Sequence, residues 1–331
     1  MNLNTFLRLA VGLAVMVLPL LVGCAPTSPS PDGELQVVAS TTFVGDTVRQ
    51  IVGDEVDLSV LLEPGQNPHA YQSTPQDLAR VAEADLFFVN GFQLENFLDD
   101  LVEGSGNAGA VVVVSEGIEP VRIDDLDQDH GESADHEEDA DHDPGEDDDH
   151  DHAVNGLGQD PHVWFDPNNV IIWVENIAEA LAEEDPERAA WYRENAQGYQ
   201  EELRDLDSWI RTQVDQIPPG SRKLVTDHTS FGYFAQEYGF KQVGAVISAS
   251  TTEAETSGQQ LAELIDTIRD QGVEVIFVSA DTDPALSERV AEDTGAEVIP
   301  LYFGSLTAGE PADTYLKFMR YNVKTIVQAL K

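Results

Sequence analysis

Short apolar runs alternate with helix-like stretches from about residue 35 onwards. In the first part of the chain the strand-like runs are 35–40, 56–62, 85–89 and 110–114. The stretches predicted as helices are 46–52, 75–84, which opens with a proline, and 94–102. Strands that alternate with helices predict βαβ units and a mainly parallel sheet.

Two long helical patterns, 168–184 and 186–217, separate this series from a second one. A helix of about 30 residues covers roughly 45 Å, enough to run along two lobes. Strands are then predicted at 223–226, 242–247, 273–278 and 297–301, with helices at 258–271, 284–294 and 312–330. The sequence predicts an α/β fold of two (βα) lobes with mainly parallel sheets, joined by one long rigid helix. The first lobe is predicted to span 34–185, the linking helix 186–217, and the second lobe 218–331.

The N-terminal end reads as a targeting segment. Residues 9–22 are almost continuously apolar, which is short for a transmembrane span of about 20 residues but suits a secretory signal. The run ends at Leu21-Val22-Gly23-Cys24, which resembles the lipobox of bacterial lipoproteins. Residues 1–23 are therefore predicted as a lipoprotein signal peptide and Cys24 as the lipidated N-terminus; a plain export signal with an unmodified Cys24 is the alternative.

Residues 24–33 are rich in proline and serine and are predicted as a flexible tether. We expect an extracytoplasmic protein anchored by its lipid, either in the periplasm or on the outer face of the cell membrane.

The chain is strongly acidic, with 62 Asp and Glu against 17 Lys and Arg and a formal net charge of -45. This charge argues against a nucleic-acid partner, since phosphates attract Lys and Arg. Residues 124–152 contribute 16 of the acidic side chains and no basic ones. The segment 124–153 has almost no apolar residues, so we expect it to be disordered without a ligand.

Five of the eight histidines lie in that acidic segment: His130, His136, His142, His150 and His152. Imidazoles among carboxylates form a weak binder of borderline cations, which predicts an auxiliary role in metal capture. A solvated acidic linker is the alternative interpretation.

The other three histidines, His69, His162 and His228, each lie in a turn beside a predicted strand or helix end. Loops at the carboxyl ends of parallel strands are where open α/β sheets bind ligands. A shared metal site is one interpretation. Three unrelated surface or hydrogen-bonded histidines are the other, because sequence distance does not determine spatial convergence.

The motifs around these histidines resemble those of the TroA-like metal-binding receptors of ABC importers, in particular the zinc-uptake branch. They are NPHAY at 67–71, DPHVWFDP at 160–167, TDHTSFGYF at 226–234 and DTYLKFMRYN at 313–322. The resemblance implies a metal in the cleft between the lobes, with His69 and His162 as ligands from the first lobe and His228 from the second. It also implies ABC permease and ATPase subunits as partners, and we expect a monomer.

The resemblance leaves the fourth ligand open. Many relatives place an Asp at the position that corresponds to Gly304, so water, Asp281, Asp313 or a histidine of the acidic segment are the candidates. Three histidines with an oxygen donor favour Zn²⁺ over Mn²⁺, which prefers harder oxygen ligands.

A metal-bound histidine usually donates its second ring N–H to a carboxylate or carbonyl. Asp160, Asp166 and Asp227 are close enough in sequence to serve, and turn formation or helix capping is the alternative for each.

Three functions compete with a zinc receptor. They are a Mn(II) or Fe(II) receptor of the same family, a zinc-dependent hydrolase or hydratase with an open three-His site, and a metal buffer or adhesin. We expect no enzyme, because no recognised motif supplies a separate catalytic Asp or Glu and a lipid anchor suits capture.

Overall fold

The computed structural model describes residues 35–122 and 158–331, except Ala108, Ala110, Ser250, Glu253 and Asp281. The predicted signal peptide, Cys24, the tether and the acidic segment with its five histidines lie outside the described residues.

The first lobe carries a four-stranded sheet in which every pair of neighbours is parallel. Its strands are β1 (Gln36–Ala39), β2 (Asp57–Val60), β3 (Leu86–Val89) and β4 (Val111–Val113), and its first helices are α1 (Thr42–Val52), α2 (Pro75–Glu83) and α3 (Leu98–Ser105). The strand order is β2-β1-β3-β4, with Val37 paired to Leu58 on one side and to Leu86 on the other.

Two helices, α4 (Pro167–Glu184) and α5 (Ala189–Val214), lead to a second lobe built to the same plan. Its strands are β5 (Lys223–His228), β6 (Lys241–Ile247), β7 (Val275–Ser279) and β8 (Glu297–Leu301). Its helices are α6 (Gly232–Tyr238), α7 (Gly258–Gln271), α8 (Ala285–Thr294) and α9 (Tyr315–Leu330). The order β6-β5-β7-β8, again all parallel, repeats that of the first sheet.

The long helix α5 joins the two lobes. Its 26 residues cover about 39 Å. Tyr192, Tyr199 and Leu203 are among the residues it buries, and it packs against α1 of the first lobe and α9 of the second. The predicted fold class of two parallel-sheet lobes and a long helix is therefore confirmed.

Local boundaries differ from the sequence prediction where capping and packing decide them. Helix α1 begins at Thr42 rather than at 46, because the Thr41 hydroxyl accepts a hydrogen bond from the Val44 N–H and caps the helix there. Helix α3 begins at Leu98 rather than at 94, because residues 94–97 form irregular and turn backbone after the left-handed Phe92 and Gln93. The short helix α6 was not predicted.

Within the described residues, no helix reaches both the length and the apolar character that spanning a bilayer requires.

Aromatic side chains from both lobes meet around Trp164, which is almost completely buried. Its ring stacks on Phe43 of α1 with 4.9 Å between centroids, and its indole N–H donates to the Phe303 carbonyl at 3.0 Å. The Tyr315 hydroxyl at the start of α9 donates to the Trp164 carbonyl at 2.8 Å. Trp164 therefore fixes the second lobe to a backbone position two residues from His162.

Substituting Tyr315→Phe is expected to lower the free energy of unfolding by about 1–2 kcal/mol, because the buried Trp164 carbonyl loses its donor. Urea denaturation with an unchanged m-value would measure this. Tyr321→Phe is the matched control, since the Tyr321 hydroxyl on the same helix makes no hydrogen bond among the described residues. Equal stability of the two variants would contradict the prediction.

Candidate metal centre

The structure brings His69, His162 and His228 together between the lobes. The Nε2 atoms of His69 and His162 are 3.1 Å apart, and those of His162 and His228 are 3.3 Å apart. One ring nitrogen from each of the three lies within 4.8 Å of the others. Two nitrogens at tetrahedral positions 2.0–2.1 Å from a zinc ion are about 3.3–3.4 Å apart, so this spacing fits one shared cation.

A capped turn holds His69. The turn is the 3₁₀ segment Pro68–Ala70, which follows β2. The Asn67 side-chain oxygen accepts from the His69 N–H at 3.0 Å, and its amide nitrogen donates to the Thr252 hydroxyl of the second lobe at 2.8 Å. One asparagine therefore shapes the His69 turn and connects it to the opposite lobe.

His228 is the last residue of β5, and its carbonyl accepts from the Thr226 hydroxyl at 2.7 Å. His162 directly precedes the 3₁₀ segment Val163–Phe165. A strand end and a tight turn, both formed by backbone hydrogen bonds, thus point the two imidazoles at the same place.

Carboxylates fix the orientation of two of the rings. Asp160 Oδ1 lies 2.7 Å from His162 Nδ1, and Asp227 Oδ1 lies 2.7 Å from His228 Nδ1. Because the carboxylate accepts the Nδ1 proton, the Nε2 lone pair of each ring is left facing the centre.

Each carboxylate is held in turn by other donors. Asp160 Oδ2 accepts from the Gly232 N–H at 3.2 Å. Asp227 Oδ2 accepts from the Ser279 N–H at 2.7 Å and the Thr282 hydroxyl at 3.0 Å. Burial on its own would raise the pKa of the Asp227 carboxyl, but His228 and these donors together hold that pKa below its ordinary value. Asp227 is therefore charged beside its histidine.

The third candidate carboxylate, Asp166, has a different role. Its Oδ1 accepts from the Asn168 N–H at 2.9 Å and caps α4. Burial, reinforced by the charges of Glu237 and Asp207, raises the pKa of Asp166 to about 6. The carboxylates of Asp166, Asp207 and Glu237 form a second close group. Arg211 donates hydrogen bonds to Asp207 and Glu237 and neutralises part of the charge of this group.

The imidazoles are almost closed to water, with exposed fractions of 6 % for His69, 1 % for His162 and 3 % for His228. Burial lowers the pKa of His69 well below its ordinary value, and the other two histidines lower it further. Burial also lowers the pKa of His162, although Asp160 partly opposes the shift. Both rings are neutral at neutral pH, which is the form that binds a metal.

Among the described residues, no carboxylate belongs to the three-histidine cluster. Asp313 is paired with Lys317 at 2.9 Å, and Asp281 lies outside the described residues. A Cβ placed on Gly304 would lie only 2.9 Å from Pro68 Cδ. A small cavity of about 10 Å³ adjoins His69 and His228, and its lining includes three hydroxyl-bearing residues, Thr252, Ser279 and Thr282. It is about the size that holds one water molecule.

A buried network that the sequence did not reveal supports the His162 loop. Glu95 is buried, and its carboxylate accepts from the Ser40 hydroxyl at 2.7 Å, the Asn90 N–H at 2.6 Å and the Gly91 N–H at 3.1 Å. The Asn90 side chain then donates to the Pro161 carbonyl at 3.1 Å. The dipeptide Asn90-Gly91 was the available clue, but it is too short to indicate a role.

Comparison with known proteins gives one family and consistent relatives. Residues 37–329 match the family model of the periplasmic component A of zinc-uptake complexes, ZnuA. The chain is 30% identical over 329 residues to the manganese-binding lipoprotein MntA of Halalkalibacterium halodurans, covering 98% of this chain and 99% of the relative. It is also 30% identical over 331 residues to the manganese ABC transporter substrate-binding lipoprotein PsaA of Streptococcus mitis, covering 96% and 97%.

Among solved structures, the periplasmic zinc-binding protein TroA from Treponema pallidum is similar, with a TM-score of 0.74 and 27% sequence identity. The match covers 90% of this chain and 99% of TroA. A match of this extent spans both lobes.

Proposed function

Because the chain belongs to the ZnuA family of periplasmic zinc-uptake components, we propose that it captures Zn(II) outside the cytoplasm and delivers it to an ABC-type metal importer. Members of this family are substrate-binding receptors of ABC transporters and not enzymes, so the chain is a metal receptor rather than a hydrolase. ABC permease and ATPase subunits are its partners.

The convergence of three imidazoles carries the proposal of zinc. Their Nε2 atoms have the spacing of a tetrahedral zinc site, and no described carboxylate joins them. Nitrogen donors suit zinc, whereas manganese prefers sites rich in carboxylate and carbonyl oxygens. The carboxylates that would balance the charge of the cation are Asp160 and Asp227, each hydrogen-bonded to one of the histidines.

The second candidate cargo is Mn(II) or Fe(II). The names of MntA and PsaA support it, since both relatives are described as manganese proteins. Identity of 30% leaves room for a change of ligand set between them and this chain.

Contacts between the lobes support a receptor whose arrangement depends on its cargo. Hydrogen bonds that connect the lobes near the site include Asn67 to Thr252 at 2.8 Å, Gly65 N–H to Ser305 Oγ at 2.6 Å, and Leu306 N–H to Thr42 Oγ1 at 2.9 Å. A cation held by histidines from both lobes adds to them and favours the closed arrangement, which the permease then recognises. The long helix α5 limits the motion to a small hinge.

The N-terminal region completes the proposal. MntA and PsaA are both described as lipoproteins, which supports Cys24 as the lipid-anchored residue of an extracytoplasmic protein. We further propose that the five histidines of the acidic segment collect metal weakly for transfer to the cleft, and that the receptor acts as a monomer. These residues lie outside the described part of the chain.

Competition titration tests the cargo. The purified protein, stripped of metal and titrated with Zn(II) and Mn(II) against a chromophoric chelator, is expected to bind one zinc ion tightly and manganese more weakly. A variant that lacks 124–152 is the control, and it is expected to keep the tight zinc ion while losing weaker binding. Tighter binding of manganese would identify Mn(II) as the cargo. If neither ion bound tightly, the proposed role as a metal receptor would be refuted.

A metal buffer or adhesin would bind the same ion, so growth provides the second test. A strain that lacks the protein is expected to grow poorly when zinc is scarce and to recover when zinc is added. Normal growth on scarce zinc would favour the buffer or adhesin.

A further inference from the structure

Gly304 is the point at which the second lobe comes closest to the His69 turn. It lies between β8 and α9, and a Cβ built on it would be 2.9 Å from Pro68 Cδ and 3.5 Å from Pro68 Cγ. Two carbon atoms in favourable contact are about 3.5–4.0 Å apart. The φ angle of Gly304 is not in the left-handed region, so lack of space, and not backbone conformation, excludes a side chain here.

Neither side of this contact moves freely. Pro68 is a rigid ring at the first position of the 3₁₀ turn, directly before His69. Directly before the turn, the chain is connected to the second lobe twice, by Gly65 to Ser305 and by Asn67 to Thr252. On the other side, the carbonyl of Phe303 accepts from the buried Trp164 indole. A side chain at 304 would therefore displace Pro68, and His69 would move with it.

Resting on the proposed function, we infer that Gly304 is a positioning residue for His69: its missing side chain lets the lobes approach until His69 reaches the cation between His162 and His228. The required displacement after adding a methyl group is about 0.6 Å, the difference between 2.9 Å and the shortest comfortable carbon contact. Metal–ligand distances tolerate only about ±0.2 Å. A methyl group at 304 thus separates His69 from the cation without touching the cation itself.

The inference also explains how the site can do without a carboxylate from this loop. In the closed arrangement the space next to Gly304 is taken by the Pro68 ring, and the cavity beside it is about 10 Å³. Glycine at position 304 therefore supplies no ligand of its own, but it allows His69 to come close to the cation.

The test compares the full-length protein with Gly304→Ala, Pro68→Ala and the double variant. Gly309→Ala is the matched control, because a Cβ on Gly309 meets no atom within 4 Å and its φ is not positive. The measurements are the Zn(II) dissociation constant by chelator competition and the visible absorption of bound Co(II), which reports the number of ligands. Thermal unfolding checks the fold of each variant.

Gly304→Ala is expected to weaken zinc binding by roughly tenfold, the lower end of effects seen for residues that orient ligands. Its Co(II) spectrum is expected to shift, while Gly309→Ala keeps both wild-type properties. In the Pro68→Ala background, which removes the opposing ring atoms, the Gly304→Ala change is expected to lose most of its effect. Should Gly304→Ala fail to fold while the double variant folds, the steric contact is equally supported.

Wild-type affinity and spectrum in Gly304→Ala would overturn the inference while leaving the receptor intact. An equal loss of zinc affinity on adding Gly304→Ala to the wild-type protein and to Pro68→Ala would also overturn it, since the effect would then not depend on Pro68. Absence of tight zinc binding in the wild-type protein would instead refute the receptor assignment, and this inference with it.

Discussion

Replacing His162 with alanine is expected to weaken Zn(II) binding by roughly 100- to 1,000-fold. Zinc sites contribute about 10–16 kcal/mol in total, or about 2.5–4 kcal/mol for each of four ligands, and 1.4 kcal/mol is a factor of ten. His162 is chosen because its Nε2 lies 3.1 Å from His69 and 3.3 Å from His228, so its removal leaves a pair of ligands on opposite lobes. Chelator competition measures the effect.

The control for His162→Ala is Asn176→Ala. Asn176 donates hydrogen bonds to the carbonyls of Val114 and Glu116 and takes no part in the histidine cluster. This variant is expected to lose stability but to keep the wild-type zinc affinity. If His162→Ala bound zinc as tightly as Asn176→Ala, the shared site would be refuted.

Replacing Asp160 with asparagine is expected to weaken Zn(II) binding by about 10- to 100-fold, the range found when a carboxylate behind a metal-bound histidine is removed. The change keeps the size of the side chain. It removes the charge that faces His162 Nδ1, and an amide cannot accept hydrogen bonds from both His162 and Gly232 at its two ends.

Asp166→Asn is the matched control from the same eight-residue motif. Asp166 is also largely buried, but its carboxylate caps α4 instead of holding a ring. Asparagine caps helices about as well as aspartate, so zinc affinity and stability are expected to stay close to wild type. An equal loss of affinity in the two variants would show that Asp160 has no particular connection to His162.

The alternation of strands and helices was enough to predict the two lobes, because each apolar run is short and bounded by turn residues. The sequence could not place the start of α3, because Glu95 lies in non-helical backbone and accepts hydrogen bonds from Asn90, Gly91 and the distant Ser40. It also missed α6, whose seven residues are too few to show a helical period.

At the site, sequence singled out His69, His162 and His228 because the other five histidines lie together in the acidic segment. It could not separate Asp160 and Asp227 from Asp166, since all three are neighbours of a histidine motif and only the folded backbone decides which carboxylate reaches a ring. The contribution of Thr252, Glu95 and Pro68 was invisible for a related reason. Each acts across a large sequence separation, on a partner that the local pattern does not name.

The near-complete burial of the three imidazoles has a kinetic consequence. Because at most 6 % of the surface of any of these residues is exposed, the proposed cargo ion cannot exchange ligands stepwise with solvent, and its escape must wait until the lobes part. The residence time of the ion is then set by the frequency of that opening and not by the strength of the metal–nitrogen bonds alone. For the proposed receptor, we therefore expect slow release of the ion in isolation and fast release only where the importer separates the lobes.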